Sequence, residues 1–164
     1  MIDKENFCEH IRQQEKAMYS LAFSVVKNDA DAAEIISESI FRAYRKIDTL
    51  KNENAFKPWI LRIVHNTAVE FVRKNAKIVS MDTIDLVDED VENHLLTTIS
   101  LQEAVKSLKQ PYRTVVTLYY YEDFSIAQIA KITDTSMVTV KQRLFRARKQ
   151  LREILKEGFE NESI

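Results

Sequence analysis

Glycine, proline and cysteine are nearly missing from this sequence: its 164 residues include one glycine, two prolines and one cysteine. Turns between strands draw mainly on glycine and proline, and no stretch shows sustained apolar–polar alternation, so an all-β fold is excluded. A lone Cys8 cannot form a disulfide within the chain, which fits a reducing compartment. No run approaches the ~18 uninterrupted apolar residues that a membrane-spanning helix needs. The opening MIDKENFCEHIRQQEK is charged throughout and lacks the apolar centre of a secretory signal, so no leader is expected. His10, His65 and His94 are scattered without metal-ligand spacing, and there is neither a glycine-rich phosphate loop nor a nucleophile motif. Metal, cofactor and catalytic residues are all expected to be none.

What is present is helical periodicity. The 45% hydrophobic fraction suffices for compact cores, and the expected class is all-α. The most informative stretch is Ser125 to Arg152, SIAQIAKITDTSMVTVKQRLFRARKQLR. Ser125 and Gln128 have the S-x-x-Q spacing of a capping box, which marks a helix start. Ile126, Ile129 and Ala130 give that helix one apolar face. Thr133, Asp134 and Thr135 interrupt the pattern, and Ser136 is placed to cap a second helix. There Val140, Leu144, Ala147 and Leu151 form the buried stripe, leaving Thr139, Lys141, Gln142, Arg143, Arg146, Arg148 and Lys149 outside. From Ser125 to Lys156 eight basic residues face two acidic ones, in a chain whose net charge is −1. An apolar back with a basic, hydrogen-bonding front is what a helix-turn-helix needs to enter a major groove. Thr139 and Gln142 are placed for base edges, and Lys141, Arg143, Arg146 and Arg148 for phosphates.

The N-terminal half also reads as helical. One helix is expected over 6–27, with Phe7, Ile11, Met18, Leu21, Ala22 and Val25 inward. A second spans 31–50, with Ala32, Ile35, Ile36, Ile40, Ala43 and Ile47 inward and Asp31, Glu34, Glu38 and Arg42 outward. By itself that acidic side is an ordinary solvated face. A third helix covers 54–74, with Pro58 tolerated in its first turn. Ile60, Ile63, Thr67 and Phe71 face one way, and Arg62, Asn66, Val69 and Arg73 another. Phe56 and Trp59 stand at its entrance, either as core or as a platform for unstacked bases. Residues 82–92 then hold six acids and no basic residue, the composition of a linker. Leu101, Val105 and Leu108 resume a helical pattern, and after Pro111 a further helix is expected to pack Val115, Leu118 and Tyr119 against the helix-turn-helix. The expected plan is one helical domain over 1–75, an acidic linker over 76–100, a second domain over 101–158 and a tail over 159–164.

Three segments, DADAAEIISESIFRAYRKID, FKPWILRIVHNTAVEFVRK and LKQPYRTVVTLYYYEDFSIAQIAKITDTSMVTVKQRLFRARKQLR, resemble the extracytoplasmic-function sigma factors of bacterial RNA polymerase. The resemblance covers roughly 15–157. It implies a first domain that binds the clamp of the polymerase β′ subunit and opens the minus-ten element. It implies a second that reads the minus-thirty-five element beside the flap of the β subunit. Carried onto this chain, Asp31, Glu34, Glu38 and Arg42 become polymerase contacts. Phe56, Trp59, Arg62, Asn66 and Arg73 become minus-ten contacts, and Ser136, Thr139, Lys141, Gln142, Arg143 and Arg146 minus-thirty-five contacts. The chain departs from the family at Ser37 (usually Gln), at Asp134 in the turn (usually Gly) and at Val138 (usually Gly). An aspartate tolerates the left-handed backbone, so the turn is expected to survive. Promoter DNA, polymerase core and an anti-sigma factor are the implied partners, without membrane insertion. The implied location is the cytoplasm, where such a partner can hold the protein at the inner face of the membrane.

Tethering explains why such a plan would need the polymerase. Two or three base pairings of ~1–3 kcal/mol each cannot select promoters from a genome, so two readers must act together. A free tether of ~25 residues spans on the order of 25–30 Å, against ~70 Å for two turns of DNA. Held extended by the enzyme, it would let both readers engage; alone, the protein should bind promoters poorly. Two other readings stand beside this one. A stand-alone helix-turn-helix regulator with an N-terminal sensing domain would ordinarily dimerise, and no dimerisation helix is evident. An enzyme using Glu34 and Glu38 would lack an enclosing pocket to shift their acidity.

Overall fold

The computed structural model describes residues 2–82 and 100–162, and among these every regular element is helical. Seven helices follow in order: α1 (Lys4–Val26), α2 (Asp29–Lys46), α3 (Phe56–Asp82), α4 (Leu101–Ser107), α5 (Tyr112–Val116), α6 (Ile126–Thr133) and α7 (Met137–Glu162). A π-turn, Thr117–Tyr121, continues α5. α3 runs eight residues past the expected end at 74, into the segment read as linker. The remainder of that linker, 83–99, lies outside the described residues.

Local chemistry sets the helix ends. The Asp3 carboxylate accepts from Asn6 N and starts α1; Asn28 does the same for α2 through Asp31 N. Between them Lys27 takes a left-handed conformation (φ 52°). Two reciprocal capping boxes occur, Ser100 with Glu103 on α4 and Ser125 with Gln128 on α6. Asp134 ends α6 at φ 54°, ψ 49°, as expected of an aspartate in the turn.

α1, α2 and α3 pack on one another through Phe7, Ile11, Met18, Leu21, Ala32, Ile35, Ile60, Leu61 and Val64, all buried. α5, α6 and α7 form the second group, around Val115, Leu118, Ile129, Ile132, Val140 and Leu144. α6 also lies against α3, and α5 against α1, so one apolar cluster runs through both groups. A smaller cluster of Val105, Leu108, Val116 and Ala147 joins α4, α5 and α7. Ala104, Val105 and Leu108 carry the buried face at α4, and Leu101 is exposed.

Candidate nucleic-acid interface

α7 is built as its sequence pattern requires. Val140, Leu144 and Ala147 are buried against the rest of the second group and α4, so Lys141, Gln142 and Arg146 are held outward on a rigid back. Ser136 caps the helix, accepting from Thr139 N at 3.1 Å. Thr139, expected as a base reader, is half-buried, and its hydroxyl lies 2.8 Å from that of Ser136. The cap uses it. Arg148 donates to the Tyr120 hydroxyl at 2.7 Å and lies over the Tyr119 and Tyr120 rings, which ties the middle of α7 to the π-turn.

The stripe on α3 faces the other group. Arg62 lies 3.8 Å from Asp134 in the turn of the helix-turn-helix. Val69 and Arg73 line a 240 Å³ cavity together with His65, Gln110, Pro111, Thr133 and Arg143. Arg143, expected outward, is half-buried there. The exposed Asn66 completes the stripe. Phe56 corrects the expectation of a ring at the surface: it is 2% exposed and meets Phe7 edge-on, with ring centroids 6.3 Å apart. Trp59 packs beside it at 5.7 Å and keeps part of its surface.

On α2, Glu34 and Glu38 are exposed and Asp31 is half-buried. Arg42 lies between helices, bonding Glu38 at 3.0 Å and Glu70 of α3 at 2.8 Å. Bonding to Glu70 raises the Arg42 pKa, and the same contact lowers that of Glu70. The pair borders a 600 Å³ groove with Glu34, Ser37, Glu38 and Lys74. The α2 set thus lies on a face of its own, whereas Arg62 and Arg73 of α3 meet Asp134 and Arg143 of the helix-turn-helix at a shared junction.

Sequence reasoning missed several residues that join the two groups. Arg113 is buried and donates to the carbonyls of Ser24 (2.5 Å), Val25 (3.3 Å) and Leu108 (2.5 Å). α1 has no basic residue in its last turn, and this guanidinium from 89 residues away supplies the donors that helix end lacks. The Ser24 and Thr114 hydroxyls meet at 3.0 Å. Lys57 pairs with Glu122 at 3.3 Å and sits over the Phe124 ring. His65 lies at this junction, beside Arg143, Arg73 and Asp134. Its Nδ1 is enclosed without a hydrogen-bond partner among the described residues. Burial, then the charge of Arg143, pushes its pKa down to about 4.

A histidine depressed in this way protonates first in the unfolded chain. Its contribution is therefore complete above the ordinary pKa of 6.5 and is lost as the pH falls from 6.5 toward 4. Between pH 7 and pH 5 the expected loss is about 2 kcal/mol. Urea titrations at those two pH values check it: His65→Asn should remove most of the difference, and an unchanged slope would contradict the assignment.

Two family models meet this chain, sigma-70 region 2 over residues 10–78 and sigma-70 region 4 over residues 98–151. The chain belongs to the sigma-70 family. Among curated relatives, RNA polymerase sigma factor SigV of Bacillus subtilis is 40% identical over 144 residues, covering 87% of this chain and 86% of that protein. The ECF sigma factor SigW of the same organism is 26% identical, over 94% of this chain and 91% of its own. Among solved structures, the sigma factor RpoE in complex with the anti-sigma factor NepR, from Bartonella quintana, aligns with a TM-score of 0.74 at 21% identity, over 93% of this chain and 98% of that one. CnrH, in complex with the cytosolic domain of CnrY, aligns at 0.66 and 17% identity, over 94% and 90%; at these identities the two structures speak for the fold. This sigma factor is of the extracytoplasmic-function group and directs promoter-specific transcription initiation. The stand-alone regulator is the less favoured reading. No helix among the described residues is long and apolar enough to cross a membrane.

Proposed function

We propose that three sets of side chains divide the work of initiation. Glu34 and Glu38, with Asp31 and Arg42 beside them, dock on the polymerase clamp. Arg62, Asn66 and Arg73 of α3, with Trp59, hold the opened minus-ten strand, whose bases can stack at about 1–3 kcal/mol each. Lys141, Gln142, Arg143 and Arg146 read the minus-thirty-five element, and Ser136 and Thr139 set the helix start that positions them. The observation that carries this reading is α7: a buried apolar stripe behind an exposed basic face, inside the segment that matches region 4. The working units are 1–75 and 101–158, with 76–100 as connection and 159–164 as tail. The protein performs no catalysis of its own, acts in the cytoplasm, and is restrained there by an anti-sigma factor.

The packing of α6 on α3 adds a second reason for weak promoter binding by the free protein. Arg62 and Arg73 are exposed but border the other group, so separation of the two by the polymerase would free them more fully for DNA.

Charge reversal tests the docking face. Glu34→Lys with Glu38→Lys should weaken binding to core polymerase at least tenfold, because two attractive contacts become repulsive, while helical content is unchanged. Binding at wild-type strength would remove α2 from the interface.

A further inference from the structure

The outer face of α7 is not uniformly polar. Val138 and Phe145 are the most exposed large apolar side chains among the described residues, at 64% each. Val138 precedes the fully buried Val140 by two residues, about 200° around the helix, and so points away from the core. It stands in the first turn, the end from which a docked recognition helix reaches base edges. Phe145 lies about 10 Å further along, past that turn. The cap engages the hydroxyls of Ser136 and Thr139 with each other, so Met137, Val138, Lys141 and Gln142 are left as the outward side chains there, Val138 the more exposed of the two apolar ones. α7 has no acidic residue before Glu153. An apolar tip on a helix that carries only positive charge before Glu153 suits a polyanion that carries an isolated apolar group. In the major groove that group is the thymine 5-methyl.

We infer that Val138 is a specificity residue that reads a thymine 5-methyl group in the minus-thirty-five element. The inference rests on the assignment of α7 to that element. Valine is suited to the task because its branched side chain holds one rotamer in a helix and presents its methyls without further ordering. It cannot hydrogen-bond, so it favours thymine over cytosine by contact alone.

The test deletes the methyl and nothing else. Holoenzyme reconstituted from core polymerase and the full chain is bound to a promoter fragment with an established start site. Each thymine on either strand of the minus-thirty-five element is replaced in turn by uracil. One replacement should weaken binding by the wild-type holoenzyme roughly fourfold, the factor equivalent to ~0.8 kcal/mol for one buried methyl-sized group. Val138→Ala, which suits an exposed helix position, should bind the thymine promoter a similar factor more weakly and should not distinguish uracil at that site. Restoring the methyl with 5-methylcytosine on a C-substituted promoter should recover affinity for wild type only. If both proteins bind thymine and uracil promoters alike while still protecting the minus-thirty-five element, the inference is overturned and a protein partner is the better occupant for this tip. If the element is not protected at all, the assignment of α7 itself fails.

Discussion

Replacing Arg113 by methionine is expected to lower the unfolding free energy of this sigma factor by about 3 kcal/mol or more. Methionine fills much of the space of the arginine stem but donates nothing. The carbonyls of Ser24, Val25 and Leu108, which now share one guanidinium, would lose that donor in a place where Arg113 itself is buried. Hydrogen bonds from a charged donor contribute about 1.5–3 kcal/mol each, and an abandoned buried acceptor costs about 1–3, so even strong non-additivity leaves a large effect. The last turn of α1 should suffer most, because no basic residue of its own can replace the lost charge. Arg113→Lys should recover only part, since one ammonium cannot match the planar fork. Urea unfolding, with hydrogen exchange at residues 24–27, measures both. A wild-type midpoint in Arg113→Met would show that the junction does not depend on the Arg113 hydrogen bonds.

The double variant Lys141→Ala, Arg146→Ala is expected to reduce promoter binding by the holoenzyme on the order of 100-fold, each contact contributing about 1–3 kcal/mol. Both side chains are exposed and α7 is held by other residues, so stability and core binding should stay at wild-type values. A lost phosphate contact should also flatten the dependence of log K on log salt by about one for each residue. These readouts separate DNA contact from folding. Loss of transcription with unchanged minus-thirty-five protection would place the two residues elsewhere in the mechanism.

The legible parts of this chain were those governed by local rules. The Ser125–Gln128 box, the Asp134 turn and the Val140–Leu144–Ala147 stripe follow from residue type and spacing, and all three are present. Ser100–Glu103 carries the same S-x-x-E signal and could have fixed the start of α4. The end of α3 was harder, because an acidic run reads as linker while nothing in 75–82 forbids a helix. Least legible was contact between distant residues. A buried Arg113 looks in sequence like any surface arginine, and its acceptors are main-chain carbonyls without a sequence signature. In sequence Phe56 suits core or platform alike; the Phe7 and His10 rings packed on it across the bundle make it core. The acids of α2 had no distinguishing spacing; Arg42 bridging Glu38 and Glu70 shows which of them already has an ion-pair partner.

The most direct test is run-off transcription by purified core polymerase on fragments of the source genome, with and without this protein. Discrete new start sites that appear only when the protein is added, each preceded by shared minus-ten and minus-thirty-five elements, are the expected result. Tight, specific binding to those fragments by the protein alone, with no new start sites, would contradict the account and favour a stand-alone regulator.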